Sequence, residues 1–305
     1  MDSGVDAGVV DAGSDAGVVE DAGVDAGSED AGAVIADAGP THDDAGCRLP
    51  AGLGAAFPLR VMAANLTSGN LQSYDPGHGI RIIQGLRPDV VMLQEMNYGA
   101  NTAEAMDTFM NVLDAGYRYT RGAGQIPNGV LSRYPIADAG EWPDPRVGNR
   151  GFTWAIVDLP GPRELFVVSV HLLTSSATER NLEAVALLAQ LTANVPPGDF
   201  LLVGGDFNTD VFGEPALMTL AARVSTGSPP PSDQSGNPYT NSTRTRPYDQ
   251  VLVSACLERE QLDAGLVFDS RVYTPLSEVA PVQAGDSAAP NMQHMAVVKD
   301  FVIQP

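Results

Sequence analysis

An α/β fold is the expectation for the larger part of this chain, on three observations. Residues 47–305 carry short apolar and β-branched runs bounded by Gly, Pro, Asn or Asp. Those runs alternate with longer stretches of helical character, and polar side chains able to do chemistry recur at their ends.

Residues 1–46 share none of this. They set Asp-Ala-Gly on a loose repeat and hold 12 acidic residues, with no Lys, Arg or aromatic side chain. Such a segment cannot bury enough apolar surface to offset its ordering entropy, so it is expected to be a disordered acidic linker ahead of one folded domain, 47–305. A solenoid, the other reading of a repeat, fails because the unit is too short and small-sided to build a core. Beyond the linker stand 26 acidic and 17 basic residues, a net charge of −9 against −21 for the whole chain. Proteins that grip polyanions over a wide face show a basic surplus. Here anion binding has to be local or metal-assisted. Lys299 is the sole lysine beside sixteen arginines; their planar forks suit phosphate oxygens, although codon bias accounts for the excess equally well.

The strand-like runs are, in order, LRVMAANL (59–66), DVVMLQEM (89–96), FTWAIVDL (152–159), ELFVVSVHL (164–172), FLLVGGDF (200–207), YDQVLVS (248–254) and MAVVKDFVI (295–303). Helices are expected near 78–86, 102–114, 177–194 and 213–223. The third is the clearest. Ser176 and Glu179 have capping-box spacing, and Leu182, Val185, Leu188 and Leu191 follow at every third residue. A helix starting there leaves His171 at the C-terminal end of a strand, where α/β proteins tend to place their sites. Asn65, Glu95, Asp206 and Asn208 end other runs, Asp249 opens DQVLV, and His294 precedes MAVV.

Cys47 and Cys256 are the only cysteines, too few and too far apart for a zinc site without histidine partners. In an oxidising compartment they would join and pin the start of the domain to its far end; two unrelated buried thiols is the alternative. No run reaches the ~18 apolar residues that span a membrane, and the N-terminus lacks the basic-then-apolar order of a signal peptide. An acidic Ala/Gly tether ahead of a folded domain resembles the spacers of bacterial surface lipoproteins. An exported protein, secreted or surface-tethered, is the expectation.

The motifs VMAANL, VVMLQEM, GVLSRYPI, VVSVHL, LLVGGDFN, YDQVLVS and MQHMAVV stand in the order found in the endonuclease/exonuclease/phosphatase superfamily, over roughly residues 58–303. More narrowly, HLLTSSATERNLEA, GLVFDSRVYTPLSEVAPV and NMQHMAVVKDF resemble a branch of secreted bacterial extracellular nucleases. The resemblance implies a four-layer sandwich: two packed, mainly antiparallel β-sheets flanked by helices, hydrolysing phosphate esters with Mg²⁺ or Mn²⁺, and Ca²⁺ in support. It implies Glu95 as the main metal ligand with Asn65 beside it. His171 and His294 match the family's two catalytic imidazoles, and Asp249 the acid that pairs with His294. Asp206 and Asn208 match the pair that orients the attacking water and binds a phosphate oxygen. Taken singly, each histidine reads as a satisfied structural side chain; two in matched motifs reverse that in favour of chemistry. Which is acid and which base stays open.

A metal held by carboxylates reconciles an acidic chain with an anionic substrate. One position departs from the family: Gln293 stands where Asp usually precedes the last histidine, which removes a negative charge from the metal region. The close pairs Arg118 and Arg121, Arg146 and Arg150, and Arg244 and Arg246, in loops rich in Gly, Pro, Ser or Thr, are the candidates to clamp backbone phosphates, Arg150 foremost with Arg146 and Arg244; Trp142, Trp154, Tyr74, Tyr98 and Tyr134 are the candidates to stack, with core packing the rival fate of Trp154. The reading is a metal-dependent endonuclease acting on DNA, and RNA as a further substrate, working as a monomer with no obligate protein partner. The rivals are a phosphoesterase of the same fold acting on a phospholipid head group or sugar phosphate, and a binding protein that has lost its chemistry.

Overall fold

The computed structural model describes residues 46–47, 54–67, 73–161 and 163–305. The acidic linker expected at 1–46 lies, save Gly46, outside the described residues. Eleven strands form two sheets. The six-stranded sheet has the order β10 (Leu266–Phe268), β11 (Ala296–Ile303), β1 (Phe57–Ala64), β2 (Val90–Leu93), β4 (Gly129–Ser132), β3 (Arg118–Arg121). The five-stranded sheet runs β5 (Ile136–Pro143), β6 (Gly151–Asp158), β7 (Glu164–His171), β8 (Phe200–Asp206), β9 (Asp249–Val253).

Each sheet is antiparallel except for one parallel pair, β1–β2 in one and β7–β8 in the other. A parallel pair requires a crossover, usually helical. Helix α1 (His78–Leu86) supplies the first and α3 (Ala177–Asn194) the second. Three apolar layers result. Val61, Ala63, Met92, Val167, Leu202 and Val251 fill the space between the sheets. The outer face of the six-stranded sheet packs on α1 and α2 (Ala103–Leu113), with Ile83, Phe109 and Leu131 at its centre. The outer face of the five-stranded sheet packs on α3 and α4 (Pro215–Leu220) through Val168, Leu187, Leu191 and Leu220. Helix, sheet, sheet, helix is the four-layer sandwich the motifs imply. No helix among the described residues is long and apolar enough to cross a membrane.

Helix α3 begins where its capping box places it, with the Ser176 hydroxyl accepting from the Glu179 N–H at 3.2 Å. Its buried face is not the every-third-residue stripe. Leu182 and Val185 are exposed, whereas Arg180, Glu183, Ala184, Leu187 and Leu191 are buried. Spacing of three falls short of the 3.6-residue turn, so such a stripe walks around the helix: its first two members stay exposed, Leu188 reaches the core in part and Leu191 fully. Arg180 tolerates burial because Glu214 and Asp210 accept from its guanidinium.

Cys47 and Cys256 are joined by a disulfide, with Cα atoms 5.4 Å apart and a sequence separation of 209. It fastens the chain ahead of β1 to the short helix α5 (Ala255–Glu258) that follows β9, tying the outset of one sheet to the last strand of the other.

Candidate functional site

The C-terminal ends of the two parallel pairs open on the same side of the molecule, and seven of the polar residues marked in the sequence meet there. Asn65 follows β1 and Glu95 follows β2; His171 and Asp206 end β7 and β8 as register partners; Asp249 opens β9 opposite Asp206; His294 precedes β11. Asn208 comes two residues after β8. All seven are buried.

Asp206 is the hub. Its Oδ2 lies 3.4 Å from Nε2 of His171, 3.5 Å from Nε2 of His294 and 3.4 Å from the Asn65 amide nitrogen that donates to it. The Asn208 N–H donates to its Oδ1 at 2.9 Å. Nδ1 of His294 pairs with Asp249 Oδ2 at 2.9 Å, and the other oxygen of Asp249 accepts the Asn65 N–H at 3.2 Å. Asn65 also donates from Nδ2 to Glu95 Oε1 at 3.0 Å. One asparagine thus connects both sheets through the acids on either side of it.

The two imidazoles hold opposite charge states. Burial works against a charged His294, but Asp249 and Asp206 outweigh it and lift the imidazole to about 9. Burial, with the positive charges of Arg150 and His294, drives His171 well below its ordinary value. Burial raises both Asp206 and Glu95, against the pull of His294 and Asn65. The arrangement at neutral pH is one imidazolium and one neutral imidazole facing a single carboxyl.

Glu95 and Asn208 have φ of 50° and 51°, a left-handed backbone that is uncommon for residues with a side chain and clusters at functional sites. Buttresses from neighbouring strands hold these connectors in place. Arg121 donates to the carbonyl of Met96 and to Asn97 Oδ1, fixing the turn after Glu95. Arg150 donates to the carbonyls of His171 and Leu172, and Asn208 Nδ2 to that of Leu172 at 2.9 Å. Gly204 and Gly205 permit close approach, but to protein: a Cβ on Gly204 would lie 2.6 Å from Met92 Cε, and one on Gly205 2.1 Å from the Val170 carbonyl oxygen.

Glu183 of α3, fully buried, accepts the Leu173 N–H at 2.9 Å and shares a hydrogen bond with Asp144 beneath the loop that carries Arg146 and Arg150. Burial, and then Asp144, hold its carboxyl up at about 8, against the pull of Leu173 N–H and Arg150. Folded Glu183 keeps its proton to about 8, whereas an unfolded carboxyl near 4.5 has released it. Its contribution to stability is therefore fully present below pH about 4.5 and is lost as pH rises to about 8. Glu183→Gln keeps an acceptor for Leu173 and a donor for Asp144 but does not titrate. Urea unfolding at a series of pH values is expected to show a flatter decline across that window in the variant, by a few kcal/mol.

The oxygen donors suited to a divalent cation are also present. Glu95 Oε2 and Asn65 Oδ1 are buried and have no hydrogen-bond partner among the described residues, as expected of atoms whose partner is an ion. A second acidic group, Asp206, Asp249 and His294, has ligand atoms within 4.8 Å of one another, but these atoms already satisfy each other. The unpartnered pair is the better fit. Gln293, the departure from the family, is exposed.

Two of the candidate phosphate clamps, Arg244 and Arg146, are engaged in ion pairs. Arg244 is taken up by Asp233 and Asp269 at 2.7 and 2.6 Å and by the carbonyls of Tyr239 and Asn237, where it serves as the internal cation of a loop. Arg146 pairs with Glu179 at the start of α3. Arg150 does reach the cluster, close enough for its charge to act on His171. Among the aromatic candidates, Trp142 and Trp154 stack on each other at 5.7 Å, Tyr74 and Tyr98 pack on Phe109, and Tyr134 packs against Phe57. Sequence reasoning missed Tyr248, whose ring lies 5.6 Å from that of His294. Its place directly before Asp249 was the available signal.

A sandwich of two mixed sheets whose parallel pairs end in acids, amides and imidazoles is the fold of phosphate-ester hydrolases. The chain belongs to the Endonuclease/Exonuclease/phosphatase family, whose model matches residues 71–275 and whose members generally hydrolyse phosphodiester bonds. No curated protein sequence matches it. Solved structures share the fold: an endonuclease/exonuclease/phosphatase from Beutenbergia cavernae DSM 12333 has a TM-score of 0.59 at 20% identity, covering 81% of this chain and 72% of that one. Its counterpart from Bacteroides vulgatus gives 0.58 at 16%, over 82% and 100%. The human Nocturnin catalytic domain with bound sulfate anion gives 0.55 at 18%, over 81% and 95%.

Proposed function

We propose that this protein is a divalent-metal-dependent endonuclease, exported from the cell, that hydrolyses DNA, with RNA as a further substrate, by in-line attack of water on phosphorus. The observation that carries the reading is the Asp206 carboxyl set between a neutral and a charged imidazole, beside two buried oxygens without partners. The sulfate in the Nocturnin structure is an oxyanion of phosphate shape held by a protein of this fold. The disulfide supports an oxidising compartment.

Burial that raises the proton affinity of Asp206 makes it the acceptor for a proton leaving the attacking water, which Asn208 helps to orient. The His294 imidazolium, anchored by Asp249, donates an N–H to a phosphate oxygen where charge develops. His171, held neutral across the same carboxyl, steadies Asp206, and the proton that the leaving oxygen takes up comes from the His294 imidazolium. Arg150 fixes the carbonyl of His171 and adds positive charge nearby. When bound at Glu95 and Asn65, Mg²⁺ or Mn²⁺ would neutralise non-bridging oxygens without a basic protein surface.

Supercoiled plasmid incubated with Mg²⁺, Mn²⁺ or a chelator tests this. Nicking that needs the metal is expected, falling about 100-fold or more in Glu95→Gln, together with a metal-induced rise in melting temperature that the variant lacks. Hydrolysis of a simple phosphodiester with DNA and RNA left intact would move the assignment to a phospholipid or sugar-phosphate substrate. No hydrolysis of any ester would leave a binding protein.

A further inference from the structure

We propose that Tyr248 determines specificity for nucleotidyl esters, its ring serving as the platform on which the nucleobase beside the scissile phosphate stacks. The inference rests on the nuclease reading above and names the contact that separates a nucleic acid from other phosphate diesters.

The cluster itself is closed: Asp206 is 1% exposed, His294 4% and His171 6%. Tyr248 is half-buried and touches this cluster directly, its ring centroid 5.6 Å from that of His294 at an interplanar angle of 43°. One step outward lies Arg246, exposed, donating from Nη1 to the Tyr248 hydroxyl at 3.4 Å and pairing with Asp210 at 2.7 Å. Its main chain is fixed as well, because the Phe207 N–H donates to the Tyr248 carbonyl at 2.7 Å. The residue is thereby held at its hydroxyl and at its backbone while remaining partly accessible.

The other aromatic pairs are occupied with each other: Trp142 with Trp154, Tyr74 and Tyr98 with Phe109, Phe212 with Tyr239. Among the described ring contacts, Tyr248 alone pairs with an imidazole of the cluster. A planar group next to a phosphate held at His294 would lie beside this ring. Base stacking on a phenol face tolerates every base, which suits an enzyme that degrades nucleic acid without reading its sequence.

Steady-state kinetics of the full chain on an oligonucleotide, and on the same oligonucleotide with abasic sugars flanking one phosphate, tests the contact. The two substrates share backbone and charge and differ in the bases alone. The wild type is expected to favour the intact site by about tenfold. In Tyr248→Leu that ratio collapses towards one through a higher KM on the intact substrate, whereas Tyr248→Phe, which keeps the ring, preserves it. A wild type indifferent to the missing bases, or a Tyr248→Leu variant that loses kcat equally on both substrates, would overturn the inference and leave Tyr248 as a support for His294. If the wild type hydrolyses a simple phosphodiester and neither oligonucleotide, the nuclease reading fails first and this contact with it.

Discussion

Replacing His294 by glutamine is expected to lower kcat by about 10³-fold, with a melting temperature within a few degrees of the wild type. The choice of substitution matters. Alanine would leave Asp249 buried without its partner, a change costing about 3–5 kcal/mol, and a misfolded variant would say nothing about chemistry. A glutamine amide can still donate to Asp249 but can neither carry the charge that Asp249 and Asp206 sustain nor release a proton. His171→Ala makes the complementary case. Nδ1 of His171 has no hydrogen-bond partner among the described residues, so truncation there removes little that holds the fold, and a loss of about 10²-fold in kcat would report on the proton at Nε2. Rates close to wild type in both variants would return the two histidines to the core.

The second large effect is on stability. The Cys47–Cys256 bridge closes a loop of 209 residues, and the loop-entropy relation puts its worth at up to about 5 kcal/mol. Removing both cysteines as Cys47→Ser, Cys256→Ser is expected to lower the free energy of unfolding by most of that amount, read as a lower urea midpoint, and reducing the wild type with a thiol should reproduce the variant. Activity at low temperature should survive, because neither cysteine touches the catalytic cluster. A double variant as stable as the oxidised wild type would show that the apolar packing around Leu257 already fastens that end of the domain.

Strands with continuous apolar runs were legible in the sequence, and so were α1 and α3, because periodicity and caps are local properties. Strands β3, β4, β5 and β10 were not: four residues of RYTR, the glycine and acids of IADAGEWP, and the three residues of LVF carry little pattern, and pairing with a neighbour makes them strands. At the site, motifs at strand ends marked seven residues that the fold brings together. They could not show Arg244 captured by Asp233 and Asp269, since an ion pair between loops has no signature along the chain. Nor did they show Arg121 and Arg150 acting as buttresses on backbone carbonyls, a role that any arginine can fill and that only geometry reveals.

The two parallel pairs have a consequence for how the reaction is tuned. Asn65 and Glu95 ride on one sheet, His171 and Asp206 on the other, and polar bonds such as Asn65–Asp206, Asn65–Asp249 and Gln94–Ser169 bridge the gap. The width of that gap is set further down, where Gly204 lets Met92 and Ala63 press against β8. The slab between the sheets therefore works as a calliper whose jaws are the two halves of the proposed catalytic cluster. A side chain too large for it, remote from any substrate, would spread the jaws by fractions of an ångström and be felt in the rate before it was felt in the melting point.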